Sequence, residues 1–185
     1  RMVMTHHTTF FINSLAHIWG SQPFTDRNSA RDNGILAFFT FGEGYHNFHH
    51  LFENDYRNGI RWWQFDPTKW LIRIAAWCGL ARDLRSCPEE RIEQARLEMQ
   101  LKRAQARLHK QDDRELWQAL LQEEYDKLSL QIQHYYANRK QLLEQRKRKA
   151  LARYDRLKLQ LEYRNLRDGF LVAKRNWSRL LAGIA

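Results

Sequence analysis

Three histidines fall within one nine-residue segment, Gly42-Glu43-Gly44-Tyr45-His46-Asn47-Phe48-His49-His50. On a helix, positions i, i+3 and i+4 share a face, so His46, His49 and His50 point the same way. Neutral imidazole is the commonest protein ligand for iron, zinc and copper, and the trio reads as a metal site. The alternative is a chance cluster, but three crowded imidazoles without a metal repel one another once protonated. Asn13 and His17, four residues apart, share a face of an earlier helix and add a second candidate pair. A lone histidine on an apolar face is otherwise usually a satisfied core residue. Glu43, three residues before His46, suits either orientation of a ligand imidazole from behind or a plain surface charge. His6 and His7 suit a structural or membrane-interface role, and His109 and His134, in a basic tail, suit a solvated face.

Other chemistries fail on residue type. The chain has no glycine-rich phosphate loop, no Gly-x-Ser-x-Gly elbow, no Cys-x-x-Cys pair and no His-Glu-x-x-His motif. Its two cysteines, Cys78 and Cys87, have no metal-ligand spacing and do not suggest a secreted disulfide framework, which favours a reducing compartment.

The elements that must position the histidines are helical. Residues 2–19 read as a helix, with Gly20 as its C-cap and Pro23 as a stop. A polar loop over 21–33 offers Ser29 or Asp32 as the next N-cap. Residues 34–51 read as a second helix, and Gly42 and Gly44 inside it predict close packing or a kink near the histidines. After a polar loop over 52–61, Trp62, Trp63 and Phe65 precede Asp66-Pro67, a helix start for a third helix over 67–84. From Glu89 to about Leu166 there is neither proline nor glycine. Apolar residues recur there mostly at spacings of three and four: Leu97, Leu101, Ala104 and Leu108, then Leu121, Tyr125, Leu128, Ile132, Tyr135 and Leu142, then Ala150, Tyr154, Leu157 and Leu161. One or two long helices follow, able to pair as a coiled coil or fold back, with Gln111-Asp112-Asp113 as the bend.

Composition changes near Pro88. Residues 1–88 hold 9 Lys+Arg and 7 Asp+Glu, whereas residues 89–185 hold 22 and 14. All three prolines and six of the eight histidines precede the change. We therefore expect two regions, 1–88 with the histidines and 89–185 as a basic helical extension. The run Arg146-Lys147-Arg148-Lys149 suits anionic lipid headgroups, although Glu and Asp interleaved through the tail also fit a solvated face or self-association, and basic charge also suits nucleic acid. No stretch reaches the roughly 18–20 apolar residues of a spanning helix. Residues 1–17 fit only the end of one. The chain begins at Arg1, shows no signal peptide, and reads as truncated at its start.

Asn-Ser-Leu-Ala-His at 13–17, Ser-Ala-Arg-Asp-Asn at 29–33 and the His46–His50 segment resemble the C-terminal part of the acyl-CoA (stearoyl-CoA-type) delta-9 fatty-acid desaturases. Phe52-Glu53-Asn54-Asp55-Tyr56-Arg57, Arg61-Trp62 and Gly79-Leu80-Ala81 extend the likeness over residues 1–85. The resemblance implies an all-α fold: the end of a membrane helix plus cytosolic cap helices that hold two non-haem irons. By position, it makes His46, His49 and His50 iron ligands, His17 the additional ligand, and Asn13 a contact through water. It implies O2-dependent insertion of a cis double bond into a fatty acyl chain, carried as acyl-CoA or acyl-lipid. An integral membrane protein of the inner membrane or endoplasmic reticulum, with the histidine box on the cytosolic side, is implied as well. The family's first two histidine boxes are absent here, and five candidate ligand residues are too few for two irons, so activity is expected to need the missing N-terminal part. The tail has no His-Pro-Gly-Gly haem motif, which implies an external electron donor such as cytochrome b5, ferredoxin or a reductase. Two rivals remain at this stage: a histidine-box hydroxylase or monooxygenase with the same metal chemistry, and a coiled-coil scaffold with incidental histidines.

Overall fold

The computed structural model describes residues 6, 9–108, 114–148 and 153–184. His7, His109, the expected bend at 111–113, and the side chains of Arg146–Lys149, Ala150 and Tyr154 lie outside what is described. Among the described residues the chain is helical, and its extended contacts are two isolated antiparallel bridges, Ser21 with Asp32 and Asp32 with Tyr45. Two compact units divide between Met99 and Gln100.

The first unit begins with a π-helical turn, Phe11–Leu15, that runs into α1 (Ala16–Ile18). Helix α2 (Gly34–Phe39) is capped by Asn33, whose side chain accepts from the amides of Ile35 and Leu36. The cap is thus neither Ser29 nor Asp32. Nor is 34–51 one helix: α2 stops, the chain reverses, and α3 (His46–Leu51) begins anew. The glycines explain the break. Gly42 sits at φ +107°, beside Phe41 at φ 54°, in the region that side-chain-bearing residues seldom enter. At Gly44 a Cβ would lie 2.1 Å from the amide nitrogen of Ala37, so only glycine lets the returning chain touch the backbone of α2. Helix α4 (Pro67–Trp77) starts as expected, with Asp66 accepting from the Lys69 amide and proline in the first turn. It ends well before residue 84, and Gly79 follows at φ +76°. Phe24, Phe48, Phe52 and Ile92 form the unit's apolar core. Ile92 comes from α5 (Glu89–Leu108), and Arg96 of the same helix lies over the Phe24 ring at 4.9 Å. The start of α5 therefore packs with the histidine region, and the compact unit extends past the compositional change near Pro88.

The second unit holds the rest of α5, then α6 (Arg114–Arg148) and α7 (Arg153–Ile184). Helices α6 and α7 form an antiparallel hairpin. Tyr135 stacks on Tyr163 and Phe170, while Trp117 lies near Asn176 and Leu180 toward the other end. The expected apolar positions Leu101, Ala104, Leu108, Leu121, Leu128, Ile132 and Leu142 are buried. Leu157 and Leu161 are not: they are exposed, and the buried seam of α7 is Phe170, Trp177 and Ile184, spaced by seven. The Trp177 indole donates to the Gln100 side chain at 2.8 Å, tying α7 to α5. No described helix is long and apolar enough to cross a membrane.

Candidate metal centre

Two segments supply the site. Helix α3 carries His46, His49 and His50, and α1 carries His17. Two polar side chains that the spacing of the histidines does not reveal bring these segments together. Asp32 sits under the start of α3, where its Oδ1 accepts from the amides of Asn47 at 2.8 Å and Phe48 at 3.2 Å. This satisfies donors that the first turn of any helix leaves open, and Tyr45, the nominal cap, makes no such bond. Burial pushes the Asp32 carboxyl up to about 6, against the pull of those two amides and of Arg96. Asn47 is fully buried between the histidines of its helix. Its Oδ1 accepts from the amides of Phe24 and Thr25, and its Nδ2 donates to the carbonyls of Thr25 and Ala30. The loop that leads from α1 to α2 is thereby fastened to α3. A backbone bond from Arg31 N to Ala16 O at 2.7 Å fastens the same loop to α1.

The result is a convergence of imidazoles. His17 Nε2 lies 3.2 Å from His46 Nε2, and His50 Nε2 lies 3.0 Å from the same atom. Ligating nitrogens of these three residues all fall within 4.8 Å of one another. Metal–imidazole bonds of about 2.0–2.1 Å place neighbouring ligand nitrogens roughly 2.9–3.3 Å apart, at octahedral or tetrahedral angles. The two short separations match that range. On the far side of His17, Nδ1 meets Ser29 Oγ at 2.9 Å. If Nδ1 donates there, the Nε2 lone pair is left facing the cluster. Lone pairs directed at one another repel, whereas a cation between them is stabilised. The donor set therefore fits a metal that accepts imidazole.

Electrostatics agree. Burial, then the charges of His50, His17 and His49, hold His46 down at about 4, so it is neutral near pH 7 and free to ligate. Burial, then the charges of His49 and His17, lower His50 too, against the pull of Glu53. Nδ1 of His46 is buried with no hydrogen-bond partner among the described residues, so this imidazole lacks the outer support that His17 receives from Ser29.

The other candidates occupy different places. His49 is half-buried and stacks beside His46 with ring centroids 6.1 Å apart, outside the group of three converging nitrogens. Asn13 is exposed, and its amide donates to the Thr9 carbonyl at 3.1 Å. Glu43 accepts from the Asn58 side chain at 2.8 Å rather than from an imidazole. His6 and His134 are exposed. Ser29, Asp32 and Asn47 lie in segments that carry the family resemblance, but residue type and spacing gave no role to any of them beyond Ser29 or Asp32 as a helix cap. Their roles arise between segments 12 to 23 positions apart.

Residues 1–76 match the profile of the fatty acid desaturase family. The chain is 57% identical over 93 residues, half of its length, to a probable acyl-CoA desaturase of Schizosaccharomyces pombe. To acyl-CoA desaturase 1 of Saccharomyces cerevisiae it is 52% identical over 103 residues, or 56% of this chain. The delta-9 acyl-lipid desaturase 1 of Arabidopsis thaliana is 42% identical over 84 residues, or 45% of this chain. The matches cover 19%, 20% and 28% of these relatives, so the chain spans only a fifth to somewhat over a quarter of their length.

Proposed function

We propose that this chain is the C-terminal histidine-box part of a membrane-bound di-iron desaturase that introduces a cis double bond, at delta-9, into a fatty acyl chain presented as acyl-CoA or acyl-lipid. The observation that carries the reading is the approach of His17 to His46. Two histidines from separate helices meet through their Nε2 atoms in a segment whose relatives are named acyl-CoA desaturases.

His17, His46, His49 and His50 are the protein's own iron ligands, with Asn13 acting through water. Bound iron supplies the redox chemistry with O2 that an unactivated C–H bond requires and that no side-chain acid or base provides. The chain's task is placement. Asp32 and Asn47 fix α3 against the loop, Ser29 orients His17, and burial keeps His46 neutral and able to ligate. Four imidazoles and one amide are too few to enclose two irons, so the remaining ligands come from elsewhere in a longer polypeptide, and this chain by itself is inactive. Electrons come from an external donor such as cytochrome b5, ferredoxin or a reductase. The enzyme sits in the inner membrane or endoplasmic reticulum with the box on the cytosolic side. Residues 1–88 make up the desaturase part and 89–185 a basic extension that self-associates or meets anionic lipid.

The test is His46→Ala and, separately, His49→Ala in the full-length polypeptide, with iron content and product both measured. Loss of iron together with loss of alkene is expected. Normal iron content with retained activity overturns the ligand assignment, and an alcohol product from the unaltered enzyme assigns it to the hydroxylases instead.

A further inference from the structure

Helices α6 and α7 are joined by four residues, Lys149-Ala150-Leu151-Ala152, that carry none of the chemistry of a turn. A helix that stops commonly has glycine or asparagine just past its end, and one that starts has Ser, Thr, Asp or Asn before it. Neither signal lies between Arg148 and Arg153. Lysine, alanine and leucine are instead among the strongest helix formers. The junction between α5 and α6 differs, because Asp112 and Asp113 directly precede Arg114 and supply cap-forming residue types.

The two helices also share one heptad frame. On α6 the buried Leu121, Leu128 and Leu142 keep a spacing of seven, with half-buried Tyr135 filling the gap. Counting on by sevens from Leu142 passes Lys149 and Arg156 and reaches Tyr163, Phe170, Trp177 and Ile184, the inward positions of α7. The second seam stays in phase as well, from Gln131 and Asn138 on α6 to Leu159, Leu166, Ala173 and Leu180 on α7, all half-buried. A hairpin places no demand on this agreement, since each arm turns its own face to the other whatever the length of the loop. A continuous coiled-coil helix does demand it, because an insertion of three or four residues breaks the frame.

The contacts between α6 and α7 are therefore kept if the chain runs straight through the junction and a second copy supplies the opposite helix. Tyr135 then stacks on Tyr163 and Phe170 of the second copy, as it does within one chain. Continuity closes the backbone hydrogen bonds that any two helix ends leave open, and exchange of identical elements is a low-cost route to a dimer.

We propose that α6 and α7 exchange between two copies of this chain, each copy forming one helix from Arg114 to Ile184 paired antiparallel with its twin. The exchange gives a definite form to the self-association proposed for the extension, and it uses none of the residues proposed to hold iron. The pairing of Tyr135 with Tyr163 is centred on residue 149, so Lys149 meets its counterpart at the two-fold axis. Residues 139–167 hold 11 Lys+Arg and 3 Asp+Glu, so like charge opposes the exchange and salt strengthens it. Assembly on an anionic lipid or nucleic acid has the opposite salt dependence.

The test uses the 185-residue chain in mild detergent, with Cys78→Ser and Cys87→Ser. Chains carrying Tyr135→Cys and chains carrying Tyr163→Cys, under different affinity tags, are co-expressed and treated with a short bismaleimide. Linked product bearing both tags is expected, with a yield that rises with salt and with Lys149→Leu. Ala150→Gly with Leu151→Pro should weaken this dimer by about a hundredfold or more, because proline interrupts a continuous helix. If that variant loses helical content, the responses to salt and to Lys149→Leu decide alone. Linking that occurs only within a chain carrying both cysteines overturns the proposal and leaves a hairpin. Mixed-tag linking that a folded Gly-Pro variant retains in full overturns the exchange while leaving self-association of the extension intact. A yield that falls with salt also overturns it, and assigns assembly to a bridging polyanion.

Discussion

His17 and His46 lie 29 positions apart, and their Nε2 atoms approach to 3.2 Å. Local helical spacing produces the proximity of His46 to His50, but only the fold produces this one. The converging site should therefore depend on residues that touch no metal.

Ser29 is the first of these. Its hydroxyl meets His17 Nδ1 at 2.9 Å and fixes which ring nitrogen faces the cluster. Ser29→Ala should weaken binding of cobalt(II), used as a visible-absorbing probe, by roughly tenfold while leaving helical content unchanged. Unaltered affinity would show that the His17 ring is held by packing alone.

Asn47 should matter more to stability than to ligation. All four of its side-chain hydrogen bonds are to loop backbone, and it is completely buried. Asn47→Ala strands those partners and should cost about 3–5 kcal/mol in urea unfolding, because unpaired buried polar groups retain their desolvation penalty. A loss below about 1 kcal/mol would mean that water replaces the amide without difficulty.

Gly44→Ala should disrupt the site at its base. The added methyl would lie 2.1 Å from the Ala37 nitrogen and 2.6 Å from its Cα, and backbone cannot swing aside as a side-chain tip can. Destabilisation of roughly 3 kcal/mol or more is expected, with loss of cobalt binding. Wild-type affinity and melting temperature in this variant would contradict the tight chain reversal.

Asp32 sets a pH dependence whose sign is opposite to that of a salt-bridged carboxylate. Its folded value is raised from 3.8 to about 6, so between those limits the folded chain holds a proton that the unfolded chain has released. Stability contributed by this group is complete below about pH 4 and is lost as pH rises through 6, by on the order of 3 kcal/mol. Asp32→Asn keeps an acceptor for the amides of Asn47 and Phe48 but removes the titration. Relative to wild type, its stability should improve from pH 4 to pH 7. A difference that stays flat across that range would place the Asp32 carboxyl near its ordinary value.

Truncation separates the two regions. Ending the chain after Met99 keeps Ile92 in the core and Arg96 over Phe24, whereas ending it after Pro88 removes both. Cobalt binding should survive the first cut. The second should lower stability by about 2–3 kcal/mol through the loss of Ile92 alone. Equal melting temperatures for the two truncations would make the start of α5 dispensable.

Much of this molecule was legible without coordinates. Helical periodicity gave the long helices, the family resemblance implied the all-α class, Asp66-Pro67 gave the start of α4, and the i, i+3, i+4 spacing gave the shared face of His46, His49 and His50. Those are local facts, fixed by backbone geometry within a turn or two. The two glycines signalled a kink but not a full chain reversal, because that depends on how closely the returning strand meets Ala37. Likewise the apolar spacing at Leu157 and Leu161 suggested a seam that α7 does not use. Periodicity marks a face, and only packing against α6 and α5 selects Phe170, Trp177 and Ile184 as the buried one. The sequence alone therefore determined the clustered imidazoles and their helical register. Tertiary structure decided which nitrogens converge, through the hydrogen bonds of Ser29, Asp32 and Asn47, because contacts between distant segments depend on loop closure and burial that no local pattern encodes.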